Sequence, residues 1–356
     1  MNSYPVTRVG KSKLADIDFD NLAFGKTFSD HMFTADYVDG KWTDMQIVPV
    51  ADLSIHPGNC TLHYGQSIFE GMKAFKNKNG VPVLFRPEMN ARRLNTSADR
   101  MCMPALPEDI FLGGLQQLVD LEKEWIPTKE GSSLYLRPFM FGTDEYIGVH
   151  SSSTYKFIIL ALPVGAYYSR PVSLKVEDTY VRAAPGGVGE AKTAGNYAAS
   201  LYPAMLAKKA GYDNVMWMDG KEFKYVQEVG TMNIIFVIND TVITPALNGA
   251  ILHGITRDSI LTYLREEGYK VEERAISIDE IMEADKKGEL KEIFGAGTAA
   301  VVSNVNKMAY GDQIIELDPD NYTVSPKIKS YLSGIKSGEI EDTRGWIVPV
   351  RSSVLA

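Results

Sequence analysis

At 356 residues the chain is longer than one hydrophobic core usually organises, so two domains are expected. It is 45% hydrophobic and 23% charged, with a net charge of −8 and no clustered run of Lys and Arg, which argues for a soluble globular protein and against a nucleic-acid partner. Two cysteines (Cys60, Cys102) and five scattered histidines give neither a disulfide framework nor metal-ligand spacing, and the most apolar stretches, 157–168 and 233–238, fall short of the ~20 residues a membrane helix needs.

The N-terminus "MNSYPVTRVGKSKLADIDFD" has no apolar stretch behind a basic start, so a cytoplasmic location is expected. Apolar residues alternate or cluster at 81–85, 133–141 and 156–162, which predicts strands. Helices are predicted over 87–103 and 107–125, each opening on Pro and Glu. The Pro- and Gly-punctuated stretch 163–171 reads as a linker. Beyond it come a strand (172–176), a glycine loop (185–189), a helix (196–210) that Pro203 should kink or restart, strands (214–218, 230–239) and a helix (257–267). Strands and helices mix without regular βαβ alternation, so the class is α+β. The divisions are an N-terminal domain over 1–165, an interdomain loop over 166–178 and a C-terminal domain over 179–356.

Four distant stretches carry the chemistry expected around an anionic aromatic cofactor. In "GGVGEAKTAGNYAAS" (186–200) one long basic side chain, Lys192, stands among small residues, where an amine made neutral by its surroundings can form an imine with an aldehyde. In "VQEVGTMNIIFVI" (226–238) Glu228 and Thr231 precede an apolar strand, and a carboxylate there can hold a heterocyclic nitrogen protonated. Gly254 leads into a helix expected to be capped by Thr256, whose free N–H groups favour a phosphate. "EIFGAGTAAVV" (292–302) runs a strand into a G-x-G-T turn able to form an anion nest, without the spacing of a Walker loop or a dinucleotide fingerprint. A phosphate also wants an arginine fork, and Arg92 and Arg93 are both candidates.

With "FGKTFSDHM" (24–32), "HYGQSIFEGMKAF" (63–75), "LFRPEMNARRL" (84–94), "SLYLRPFMFG" (133–142), "HGITRDSIL" (253–261) and "FGAGTAAVV" (294–302), the chain resembles the branched-chain amino acid aminotransferases along almost its whole length. The resemblance implies the two-domain fold type IV of pyridoxal 5'-phosphate (PLP) enzymes, D-amino acid aminotransferase-like. Its smaller N-terminal α/β domain would be followed by a larger C-terminal PLP-binding domain with mixed sheets. It implies ping-pong transamination of L-leucine, L-isoleucine and L-valine with 2-oxoglutarate, giving branched-chain 2-oxo acids and L-glutamate.

By the same resemblance Lys192 is the catalytic lysine that carries PLP covalently and shuttles the Cα proton, Tyr197 bonds the phenolic oxygen, and Glu228 pairs with the ring nitrogen. Arg93, rather than Arg92, falls on the phosphate, helped by Thr231, the backbone of Ile255 and Thr256, and Thr298. Phe24, Tyr64, Phe69, Tyr135 and Tyr167 line the side-chain pocket, Arg137 with Tyr64 accepts the second carboxylate of glutamate, and the N–H groups of Thr298 and Ala299 hold the α-carboxylate. The family is homodimeric, and "EYIGVH" (145–150), with Ile147 and Val149, matches a loop that reaches the neighbouring subunit's pocket. No metal is implied. Ala300 and Ser303 stand where some relatives carry a C-x-x-C pair, His253 where proline is frequent and Ala194 where glycine is.

Overall fold

A computed structural model of the protein describes residues 3–165 and 170–351. By contact the chain divides into two units. The first takes the described residues up to 165, Ala191–Ala194 and the chain from Ser333 onward; the second takes residues 170–190 and Gly195–Leu332.

The first unit begins with the hairpin β1 (His31–Val38) and β2 (Lys41–Pro49), followed by α1 (Cys60–Tyr64), β3 (Ser67–Phe69), β4 (Met72–Lys76) and β5 (Pro82–Phe85). Two helices follow, α2 (Pro87–Arg100) and α3 (Glu108–Leu121), then the long pair β6 (Ser133–Gly142) and β7 (Tyr155–Val164). Both predicted helices form with acidic first turns as expected. They end earlier than the periodicity suggests. Cys102 takes a positive φ of 54° and the N–H of Met103 returns to the carbonyl of Ala98, which turns the chain off the helix axis after Arg100. The buried stripe of α2 (Ala91, Leu94, Ala98) and that of α3 (Phe111, Leu115, Leu118) meet Phe33, Leu136 and Phe157 of the sheet in one core.

The second unit runs β8 (Val172–Val176), α4 (Ala194–Ala199), α5 (Leu201–Lys209), β9 (Asn214–Met218), β10 (Val226–Val229), β11 (Met232–Ile238) and β12 (Thr241–Thr244). It continues with α6 (Ile255–Glu266), β13 (Lys270–Glu273), α7 (Ile278–Lys286), β14 (Leu290–Gly297), β15 (Val301–Tyr310), β16 (Gln313–Glu316) and α8 (Val324–Ser337), of which the residues from Ser333 belong to the first unit. The helix predicted over 196–210 is two helices broken at Ser200. Pro203 falls in the first turn of α5, where its missing N–H costs nothing. The single strand predicted over 230–239 is the second arm of the β10–β11 hairpin, turned at Gly230 with φ +53° and at Thr231.

The final strand β17 (Ile347–Pro349) pairs with β5, which ties the end of the chain to the first unit. The first sheet is then eight-stranded, in the order β17-β5-β4-β6-β7-β1-β2 with β3 on β6, and every pairing in it is antiparallel. The second is nine-stranded, β10-β9-β8-β15-β14-β11-β12-β13 with β16 on β15, and the β10–β11 pairing closes six of its strands into a ring around Leu174, Met216, Val229, Ile234 and Met308. Separate sheets, largely antiparallel, with helices packed on them are the α+β class read from the sequence.

Candidate active-site residues

Lys192 is not in a loose loop. Its N–H donates to Ser97 Oγ of α2 at 2.9 Å, its carbonyl accepts from Phe69 N at 2.9 Å, and Thr193 forms a bridge with Ile68 and donates its hydroxyl to the carbonyl of Ser67. These bonds clamp the backbone on the strand β3 and on α2, and any swing is left to the side chain. That side chain is half-buried, with Nζ 4.8 Å from the centroid of the Phe69 ring.

The register of β6 builds the surroundings. Tyr135, Arg137 and Phe139 alternate onto one face of that strand, and Phe139 lies opposite Phe69. The Arg137 guanidinium sits 4.7 Å from the Phe69 centroid and 5.4 Å from that of Tyr135, and Nη2 donates to Tyr135 Oη at 3.0 Å. Phe24 meets Tyr135 edge to face at 5.1 Å. Phe24, Phe69, Tyr135 and Arg137, which the resemblance names together for the substrate pocket, are linked to one another and to Lys192. Aromatic faces hold a cation by their quadrupoles and leave its N–H edge for a carboxylate. Tyr64, Ile147 and Val149 are exposed, Val149 at 90% of its surface. Tyr167 lies outside the described residues.

Arg93, on α2, is held by a buried carboxylate. Its Nε and Nη2 each donate to Glu70 at 2.8 Å, one to each oxygen, and Asn90 Nδ2 donates to Glu70 Oε2 at 2.8 Å. The Glu70 side chain is wholly buried and that of Arg93 is 10% exposed. Arg92, the alternative, is exposed and pairs with Glu108 at 3.4 Å.

In the second unit several expected residues gather at one end of the nine-stranded sheet. Glu228 on β10 pairs with Asn233 on β11, and Asn233 pairs in turn with Ala296 on β14. Thr231 in the hairpin turn therefore lies at the same end as Thr298 and Ala299, which follow β14. Asn233 Nδ2 also donates to the carbonyl of Leu252 at 2.9 Å, which brings the start of α6 to the same place. There Gly254, not Thr256, occupies the N-cap, and no side chain caps the helix. A Cβ at position 254 would collide with Asn233 Oδ1, so any larger residue there forces that side chain or the start of α6 to shift. Ile255 and Thr256 then occupy the first turn, whose N–H groups have no intrahelical partner.

Glu228 is buried. Its Oε2 is 3.0 Å from Arg182 Nη2, and its Oε1 accepts from Asn233 Nδ2 and from Leu252 N, each at 3.1 Å. Tyr197 lies half-buried on α4. His253 is 57% exposed at its side chain, with Nε2 3.9 Å from Glu190 Oε2. Among the described residues no group of three or more His, Cys, Asp or Glu could hold a metal ion, and no helix is long and apolar enough to cross a membrane.

Residues 67–308, which contain all of these features from Phe69 to Ala299, match the amino-transferase class IV family. The chain belongs to that family. A probable branched-chain-amino-acid aminotransferase of Staphylococcus epidermidis is 51% identical to this class IV aminotransferase over 339 residues, 94% of each chain. Branched-chain-amino-acid aminotransferase 2 of Bacillus subtilis is 46% identical over 338 residues, 94% of this chain and 93% of that one. Among solved structures, the branched-chain amino acid aminotransferase of Escherichia coli matches with a TM-score of 0.73 at 27% identity, covering 90% of this chain and 99% of its own.

Three residues of this aminotransferase went unmarked in the sequence reading. Glu70 could have been found, because a lone carboxylate inside the apolar strand pattern "SIFEGMKAF" signals a buried pair. Arg182 in "YVRAAPGG" and Asn233 at the head of "NIIFVI" carry no signal of their own; a tertiary contact joins Arg182 to Glu228, and the β10–β11 hairpin sets Asn233 opposite it.

Proposed function

We propose that the protein is a branched-chain-amino-acid aminotransferase working with PLP in the cytoplasm, exchanging the amino group between L-leucine, L-isoleucine or L-valine and 2-oxoglutarate. The observation that carries this reading is the Lys192 amine, on a backbone fixed from two sides, beside the Phe69 ring that also carries Arg137.

The residues fit the cofactor. PLP asks for an amine toward its aldehyde, a carboxylate toward its ring nitrogen and N–H donors toward its phosphate. Lys192, the buried Glu228 and the start of α6, which has no side-chain cap, have those chemistries. Arg93, Thr231, Ile255, Thr256 and Thr298 would hold the phosphate, and Tyr197 the phenolic oxygen. When bound, PLP supplies an aldehyde that takes up the amino group and a ring that accepts the electron pair left at Cα. The Lys192 amine moves the proton at that carbon. Phe24, Tyr64, Phe69, Tyr135 and Tyr167 shed water around the apolar side chain, worth about 0.8 kcal/mol per CH2. Arg137, with Tyr64, takes the second carboxylate of glutamate, and the N–H groups of Thr298 and Ala299 take the α-carboxylate.

The active form is a homodimer in this reading, supported by the apolar side chains of Leu62, Tyr146, Ile147 and Val149, each more than half exposed, with Ile147 and Val149 serving the neighbouring pocket. The cysteines are free, Cys60 buried and Cys102 exposed, which suits a reducing compartment.

Reduction of the holoenzyme with borohydride, followed by peptide mapping, is expected to find the phosphopyridoxyl group on the peptide that contains Lys192. The Lys192→Ala variant should lose at least ~10³-fold in turnover with leucine. An adduct confined to another peptide, or near-normal turnover by the variant, overturns the assignment. Stopped-flow half-reactions should show rapid conversion with L-leucine, L-isoleucine, L-valine and L-glutamate, and none with D-alanine; the reverse pattern would make this a D-amino acid enzyme.

A further inference from the structure

Glu228 is held by more than a pairing with a ring nitrogen would require. Oε1 takes two N–H donors, from Leu252 and Asn233, and Oε2 faces the Arg182 guanidinium. The Arg182 and Glu228 side chains are only 7% and 6% exposed. The segment 250–252 serves both members of the pair: the carbonyl of Ala250 accepts from Arg182 Nη2, and the N–H of Leu252 donates to Glu228. A carboxylate buried alone is driven toward its neutral form by desolvation, and a neutral carboxyl has little power to keep a ring nitrogen protonated. A guanidinium at 3.0 Å, in a place where water screens little, offsets that penalty and fixes the direction in which the carboxylate points.

We propose that Arg182 is a positioning residue of the transamination, which acts through Glu228 to set how firmly the site grips the protonated ring nitrogen of its cofactor. The inference rests on the PLP reading given above. Arg182 need touch neither cofactor nor substrate, and its effect is confined to the ring nitrogen and leaves the phosphate and the substrate side chain alone.

The test compares the full-length protein, emptied and reloaded, for its affinity toward PLP and toward 1-deaza-PLP, in which the ring nitrogen is a CH group. The wild type should prefer PLP. Arg182→Met should lose roughly tenfold or more in PLP affinity, with the affinity for the deaza analogue changed much less, so the preference collapses. Arg182→Lys should restore part of it, and on a Glu228→Gln background Arg182→Met should leave the ratio unchanged. Equal losses for both compounds in Arg182→Met and Arg182→Lys would mean a merely structural pair and overturn the inference. A wild type that binds neither compound, or does not distinguish them, would overturn the PLP reading or the Glu228 assignment together with it. If Arg182→Met fails to fold, the comparison is made with Arg182→Lys, whose unchanged preference together with an unchanged pH dependence of the bound cofactor's absorbance would be equally fatal.

Discussion

Two carboxylate–guanidinium pairs, Glu70–Arg93 and Glu228–Arg182, are the most constrained charges among the residues assigned to the site, and both are buried. Burial makes such pairs expensive to break from one side. Glu70→Gln keeps the volume but leaves the Arg93 fork against a neutral amide, and it should cost about 3 kcal/mol of stability by urea unfolding. Adding Arg93→Met should return part of that loss; a single variant as stable as the parent would mean that the pair contributes nothing. At this scale the sequence offered candidates, since Lys192 stands among small residues and Glu228 ahead of an apolar strand, and it was the company of the other motifs that raised each above an ordinary surface residue. It was silent about their holders, since Arg182 lies 46 positions before Glu228 and nothing near it in the sequence refers to a carboxylate.

Helix starts show what local pattern can and cannot say. A helix after Gly254 was legible, and α6 spans Ile255–Glu266, yet the residue expected to cap it, Thr256, is inside the first turn. Gly254 takes the cap, and a Cβ there would collide with Asn233 Oδ1, a packing relation between β11 and the start of α6 that no window of sequence contains. Gly254→Ala should therefore push the start of α6 away from β11 and weaken PLP retention by at least ~10-fold, with little change in the far-ultraviolet spectrum, since an N-cap change costs on the order of 1 kcal/mol and leaves the helix itself formed. Undiminished retention on equilibrium dialysis would remove the α6 start from the phosphate role. α8 makes the same point: its first residues are capped from another element, with Glu292 of β14 accepting from Val324 N at 2.7 Å and Ser325 N at 2.9 Å.

For the molecule as a whole, two buried lysines make stability depend on pH. Lys336 lies over the Phe75 and Phe85 rings, and burial, reinforced by the charge of Lys73, brings it down to about 7 from 10.5, while burial brings Lys73 down to about 8. Both are depressed in the fold, so the unfolded chain binds more protons between the folded values and 10.5, and stability rises with pH through that window. Lys336→Met should be more stable than the parent at pH 7, and the gap should narrow by about 2 kcal/mol between pH 7 and 9; a gap independent of pH would show that Lys336 is not depressed. The sequence by itself determined the class, the family resemblance and most strands and helices around the candidate site, and it singled out Lys192 as the candidate amine, because periodicity, caps and short motifs are local. The tertiary structure alone decided that Lys192 is clamped on β3 and α2, that 230–239 is one arm of a hairpin, that the end of the chain returns to β5, and that Arg182 and Asn233 serve Glu228. All but the β10–β11 hairpin and its Asn233–Glu228 bond join residues far apart in the chain, and all are fixed by burial and hydrogen bonding that a local pattern does not specify.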